Sequence, residues 1–67
     1  MSNTNPQQRL LRLKDVMNQV SLSKFTIYAM IRRKEFPAPI HLGSTSTWVE
    51  AEIQNWITAK IADRSAA

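Results

Sequence analysis

Phe25, Tyr28, Ala29 and Arg32 recur at the spacing of a single helix face. At about 100° per residue, Tyr28 falls at about 300°, Ala29 at about 40° and Arg32 at about 340° from Phe25, a sector roughly 100° wide. Ile27, Met30 and Ile31 take the opposite side, so the face turned from the core carries two aromatics, a small residue and an arginine, flanked by Lys24 and Arg33. Such a helix can lie in a DNA major groove, where an arginine donates to guanine or phosphate and a phenylalanine meets a thymine methyl. The plainer alternatives are a solvated basic face, a Tyr28 ring packed on its neighbours with only its hydroxyl exposed, and a Phe25 ring resting on Phe36–Pro37.

The other cations gather as Arg9, Arg12 and Lys14 and as Arg32, Arg33 and Lys34, so that seven of the nine positive charges precede residue 35. Three of the five acids, Glu50, Glu52 and Asp63, lie in the last segment. This asymmetry points to one basic surface rather than evenly spread solubilising charge. Other chemistries lack their parts. His41 is the only histidine; without HxxxH or CxxC spacing it builds no zinc site, which leaves solvated surface or a phosphate contact. A single glycine excludes a Gly-rich phosphate loop, and no Ser/His/Asp or Cys/His set has a credible third member. The expectation is a protein that is not an enzyme and uses no cofactor or metal.

These side chains need elements to carry them. Leu13, Val16, Met17 and Val20 follow i, i+3, i+4, i+7 and predict a first helix. Ser21-Leu22-Ser23 interrupts the stripe, and Ser23 is an N-cap for a second helix from Lys24 to about Arg33, which makes a helix-turn-helix. Upstream, the leucines at 10, 11 and 13 alternate with Arg9, Arg12 and Lys14 and predict a short extended lead-in against the core. Pro37 and Pro39 end the helical stretch. Ile40-His41-Leu42 and Thr47-Trp48-Val49 bracket Gly43–Ser46 as a small hairpin, with His41 turned away from its buried face. Thr47 and Glu50 match a capping box for a last helix along Val49, Ile53, Trp56, Ile57 and Ile61. Both tryptophans are assigned to the core.

Length and composition set the frame. Sixty-seven residues with a net charge of +4 hold one domain, expected at residues 9–64 between a flexible polar tail (1–8) and a frayed end (65–67). Hydrophobic content of 43% argues against wholesale disorder. Cysteine is absent, which removes disulfides and thiolate metal sites. No apolar run reaches the roughly 18–20 residues of a membrane span and no export signal is seen, so a cytoplasmic protein is expected. A sequence pI near 10.2 favours a polyanionic partner, nucleic acid first.

Taken in order, Arg9-Leu-Leu-Arg-Leu-Lys-Asp-Val16, Leu22-Ser-Lys-Phe-Thr-Ile-Tyr28, Glu35-Phe-Pro37, Leu42-Gly43, Trp48 and Glu50 closely resemble AlpA-type prophage regulators over about residues 9 to 62. The resemblance implies a mainly α fold with a small β-hairpin, a winged helix-turn-helix related to the MerR and excisionase folds, in the order helix-helix-hairpin-helix. It implies that the second helix reads the major groove and that the hairpin is a wing near the backbone or minor groove. Members regulate transcription of prophage or genomic-island genes, often of an integrase, and some relatives are recombination directionality factors. Carried onto this chain, Ser23, Lys24, Phe25, Thr26, Tyr28 and Arg32 form the reading helix and Ser44, Thr45 and Ser46 the wing tip. Ala29 stands where the family commonly has a basic or polar residue, and Lys34 where it has glycine. The uncharged, shorter wing lacks the usual arginine; hydroxyls can bond phosphates but read no sequence, so base reading rests on the helix.

The leading expectation is therefore a sequence-specific DNA-binding regulator. Double-stranded DNA is its partner, with self-association on adjacent sites and contact with an integrase or the transcription machinery as further possibilities, and no membrane. Arg9, Arg12, Lys14, Lys24, Arg32 and Arg33, with His41, would serve the phosphates. An excisionase-like DNA-bending protein is the alternative on the same fold. A protein-interaction module anchored on Phe25 and Tyr28 is the alternative of another class.

Overall fold

The computed structural model describes residues 8–66, with β1 (Leu10–Arg12), α1 (Leu13–Val20), α2 (Lys24–Arg32), β2 (Ile40–Leu42), β3 (Thr45–Val49) and α3 (Glu50–Ala66) in chain order. Apart from Gln8, the tail expected at 1–8 lies outside the described residues. The helix α3 runs to Ala66, and Ala67 is outside the described residues.

The extended lead-in proves to be a strand. It joins the hairpin as one edge of a three-stranded antiparallel sheet ordered β1-β3-β2. Leu10 faces Val49, Leu11 faces Trp48 and Arg12 faces Thr47; on the other side Ile40 faces Thr47, His41 faces Ser46 and Leu42 faces Thr45. Directly opposed residues share a sheet face. Leu11 and Trp48 therefore sit on the inner face, where they join Val16 of α1, Ile27 of α2, Phe36 and Ile53 of α3 as the buried core. Met17, Val20, Leu22, Tyr28, Met30, Ile31, Trp56 and Ile57 pack around that core half-buried. Trp48 is wholly buried, as expected, whereas Trp56 is only half-buried and Ile61 is exposed.

Two expectations are corrected by this register. His41 lies on the same sheet face as Ser46 and Trp48, while Ile40 and Leu42 share the outer face with Leu10 and Val49. The hairpin turn, Gly43-Ser44, is two residues rather than four, and β2 is an edge strand whose three residues are all exposed. Gly43 has φ of 63°, a value that glycine adopts without a Cβ clash and that tight hairpin turns require. Thr47 is also not the cap of α3. Pairing with β1 keeps β3 extended to Val49, and the Thr47 hydroxyl donates to the Ile40 carbonyl at 3.0 Å. The start of α3 is tied instead by the Glu50 N–H, which donates to the Arg9 carbonyl at 2.8 Å. A non-local ladder has overridden a local capping pattern.

Between α1 and α2, Ser21 takes the left-handed conformation (φ 59°) and its N–H donates to Met17 O at 2.9 Å, which ends α1 and turns the chain within three residues. The helix α2 ends by the same device one position beyond its cap. Lys34 has φ of 61°; its N–H donates to Ile31 O at 3.0 Å and that of Glu35 to Met30 O at 2.8 Å. This pair of bonds is the Schellman arrangement, whose left-handed residue is usually glycine. Both indoles then pin the segment that follows. The Trp48 Nε1–H donates to Pro37 O at 3.1 Å and the Trp56 Nε1–H to Glu35 O at 2.9 Å, while Phe36 meets the Trp56 ring edge-on at 4.8 Å.

Candidate nucleic-acid interface

The start of α2 is set by Ser23, whose hydroxyl accepts from the Thr26 N–H at 3.2 Å and donates to Thr26 Oγ1 at 3.1 Å. Ser23 is thus the cap the sequence predicted, with its proton committed inside the helix start. From this anchored turn, α2 sets Ile27 into the core, fully buried, and leaves Lys24, Phe25 and Arg32 exposed. Phe25 is 78% exposed, as the leading reading has it, rather than resting on Phe36–Pro37; Phe36 is buried against Trp56. Tyr28 does pack its ring, edge-on to Trp48 with centroids 6.2 Å apart, and is half-buried. Thr26 and Ala29 are half-buried beside them.

Tyr28 also reaches a concavity that the sequence alone did not reveal. Arg12, Leu13, Lys14 and Met17 from the β1–α1 junction, Tyr28 from α2, and Ser44, Thr45 and Ser46 from the hairpin line one groove of about 410 Å³. Six of the sequence-predicted contact residues meet there: Arg12, Lys14, Tyr28 and the three hydroxyl residues of the wing. The β1–β3 pairing causes this, because it places Arg12 across from Thr47, two residues along β3 from Thr45. Ser44 is exposed at the turn, whereas the Ser46 hydroxyl lies 3.3 Å from His41 Nδ1. His41 and Ser46 are thereby engaged with each other across β2 and β3.

The cations divide into two kinds. Among the described residues, ion pairs join Arg9 to Glu50 at 3.6 Å and Arg33 to Glu35 at 3.1 Å. Glu50 also accepts from Gln19 Nε2 at 3.4 Å, and Gln54 Nε2 donates to Gln19 Oε1 at 2.7 Å, which links Arg9, just before β1, to α1 and α3. Arg9 and Arg33, both expected at phosphates, thus face carboxylates of their own chain. Arg12, Lys14, Lys24 and Arg32 are exposed and enter no ion pair among the described residues. Arginine forks and lysine ammonium groups without an internal carboxylate are the groups that neutralise phosphate.

No group of three or more His, Cys, Asp or Glu residues that could hold a metal occurs among the described residues. Among them also, no helix is long and apolar enough to cross a membrane.

Three helices with a small three-stranded antiparallel sheet, a capped second helix carrying an exposed face, and a hairpin beside it make this a winged helix-turn-helix protein. The sequence model of the prophage CP4-57 regulatory protein (AlpA) family matches residues 9–61. The chain belongs to that family of prophage regulatory proteins. It is 41% identical over 59 residues to the uncharacterized protein ORF88 of Enterobacteria phage P4, covering 87% of this chain and 67% of the phage protein. No solved structure matches it.

Proposed function

We propose that this chain is a sequence-specific DNA-binding regulator of prophage or genomic-island genes, integrase expression among them, acting by binding alone. The observation that carries the reading is the groove in which Arg12, Lys14, Tyr28 and Ser44–Ser46 converge beside the exposed face of α2. In this reading α2 enters the major groove with Lys24, Phe25 and Arg32 toward the bases. Arg12 and Lys14 neutralise a flanking phosphate, and the wing hydroxyls of Ser44 and Thr45 hydrogen-bond the same backbone stretch. Phosphate contacts fix register and α2 supplies the sequence reading. A single module of this kind buries about 600–1,000 Å², so two or more copies on adjacent sites, or bent DNA, supply useful specificity.

A fluorescence-anisotropy titration on the chain's own upstream region and on a scrambled duplex, at about 50 and 150 mM salt, tests this. Arg12, Lys14, Lys24 and Arg32, the four cations assigned to the DNA in this reading, predict a log–log salt slope of about −3 to −4, with tighter binding to the upstream region at both salts. Equal, weak binding to both duplexes would remove the sequence-reading role and favour a protein partner docking on Phe25. A footprint of several tandem sites with measurable bending would assign the same fold to recombination directionality instead.

A further inference from the structure

We infer that the exposed Phe25 ring, with the small Ala29 on the same helix face, selects a 5-methylpyrimidine, thymine in ordinary DNA, at one position of the bound sequence. This rests on α2 being the reading helix and adds to it the class of base recognised. Phe25 is the most exposed large hydrophobic residue of the described chain, at 78%, although it sits on the second residue of a well-capped helix. Its ring carries no donor or acceptor. Of the groups a base pair shows in the major groove, the thymine methyl is the one an apolar side chain can recognise.

Ala29 makes the ring selective rather than merely greasy. Residues four apart on a helix are neighbours, and each Cα–Cβ bond tilts toward the N-terminus, so Ala29 stands directly behind Phe25 on the same face. Ala29 is half-buried and carries only a methyl, so the side chain next to the ring on that face is short and apolar. A longer side chain at 29 would cover the ring, and a polar one would compete for the base with hydrogen bonds. Lys24 and Arg32 are exposed on the same helix, where their charge holds the DNA backbone and purine edges close while the methyl is buried. Those charged neighbours favour DNA over a protein partner for the ring, because the apolar patch is one side chain wide.

The test uses the whole chain and a duplex recovered by selection from a randomised pool. Each thymine is replaced in turn by deoxyuridine, which keeps the hydrogen-bonding edge and removes only the methyl. One or two positions are expected to lose about three- to fourfold in affinity per methyl, the worth of one buried carbon. In Phe25→Ala, thymine and uracil bind equally at those positions while the salt slope is unchanged; Phe25→Leu retains part of the preference. At such a position 5-methylcytosine binds more tightly than cytosine. Uniform tolerance of uracil in the native protein overturns the inference while leaving α2 as the reading helix. Retention of the thymine preference in Phe25→Ala also overturns it and leaves the ring as a protein-docking group. A pool that yields no preferred sequence removes the reading of α2 and this inference together.

Discussion

The two sides of the domain treat charge in opposite ways. On the side of α3, Arg9 is held by Glu50, Glu50 by Gln19 and Gln19 by Gln54, and Lys60 lies 5.5 Å over the Trp56 ring. On the side of α2 and the wing, Arg12, Lys14, Lys24 and Arg32 face solvent with no ion pair among the described residues. Both sides carry exposed cations. What separates most of them is whether the fold supplies an internal partner; the exceptions are Arg33, paired with Glu35 at the end of α2, and Arg64, exposed on α3 without an ion pair among the described residues. A cation already facing a carboxylate gains less from a phosphate, so in the proposed function the α2 side makes most of the phosphate contacts.

The largest perturbation removes the distinction altogether. Trp48 contacts both halves, as the fully buried centre of the core and as the ring under Tyr28. Trp48→Ala is expected to cost about 3–5 kcal/mol, a large share of the stability of a domain this small. Trp56→Ala should cost clearly less, since that ring is half-buried and faces the Lys60 ammonium, 5.5 Å from its centroid. Urea melts of the two variants check the order; equal losses would show that the core extends as far along α3 as along the sheet.

A paired substitution sharpens the comparison. Arg32→Ala should weaken DNA binding by about 1–3 kcal/mol and relax one base position if its fork meets guanine, or weaken all sequences equally if it meets phosphate. Arg9→Ala should leave affinity nearly unchanged and reduce stability by at most about 1 kcal/mol, because the pair is long, at 3.6 Å, and the Arg9 side chain is largely exposed. Comparable losses of affinity from both would erase the two-sided picture.

The smallest effect concerns backbone rather than charge. Lys34 occupies the left-handed position that closes α2, where an L side chain is strained. Lys34→Gly is expected to raise stability by about 0.5–1 kcal/mol, the relief being partly offset by the greater entropy glycine gives the unfolded chain. A thermal melt reads it. No gain would mean that the α2 exit tolerates lysine without strain.

Much of this arrangement was legible in the residues. The i, i+3, i+4 stripes located α1 and α2, Ser23 announced its cap, and the wheel separated Ile27 from Phe25 and Arg32, because helix periodicity and capping are local properties written within a few residues. The family resemblance over residues 9–62 fits the matched span of 9–61. Long-range pairing was not legible. A three-residue strand such as Leu10–Arg12 is too short to show a period, so nothing in it announced that β3 would be its partner. That one pairing converted Thr47 from a helix cap to a strand residue, fixed the sheet face of Leu11 and Trp48, and carried Arg12 and Lys14 to the wing tip. The tight Gly43-Ser44 turn set the register that put Ile40 and Leu42, rather than His41, on the outer face. Which cations keep their charge for a partner was likewise decided in three dimensions, since Arg9 and Glu50 are forty-one positions apart and meet only because β1 runs beside the start of α3. The sequence determined the helices and the chemistry of their faces; contacts between distant segments decided which of those faces is left open.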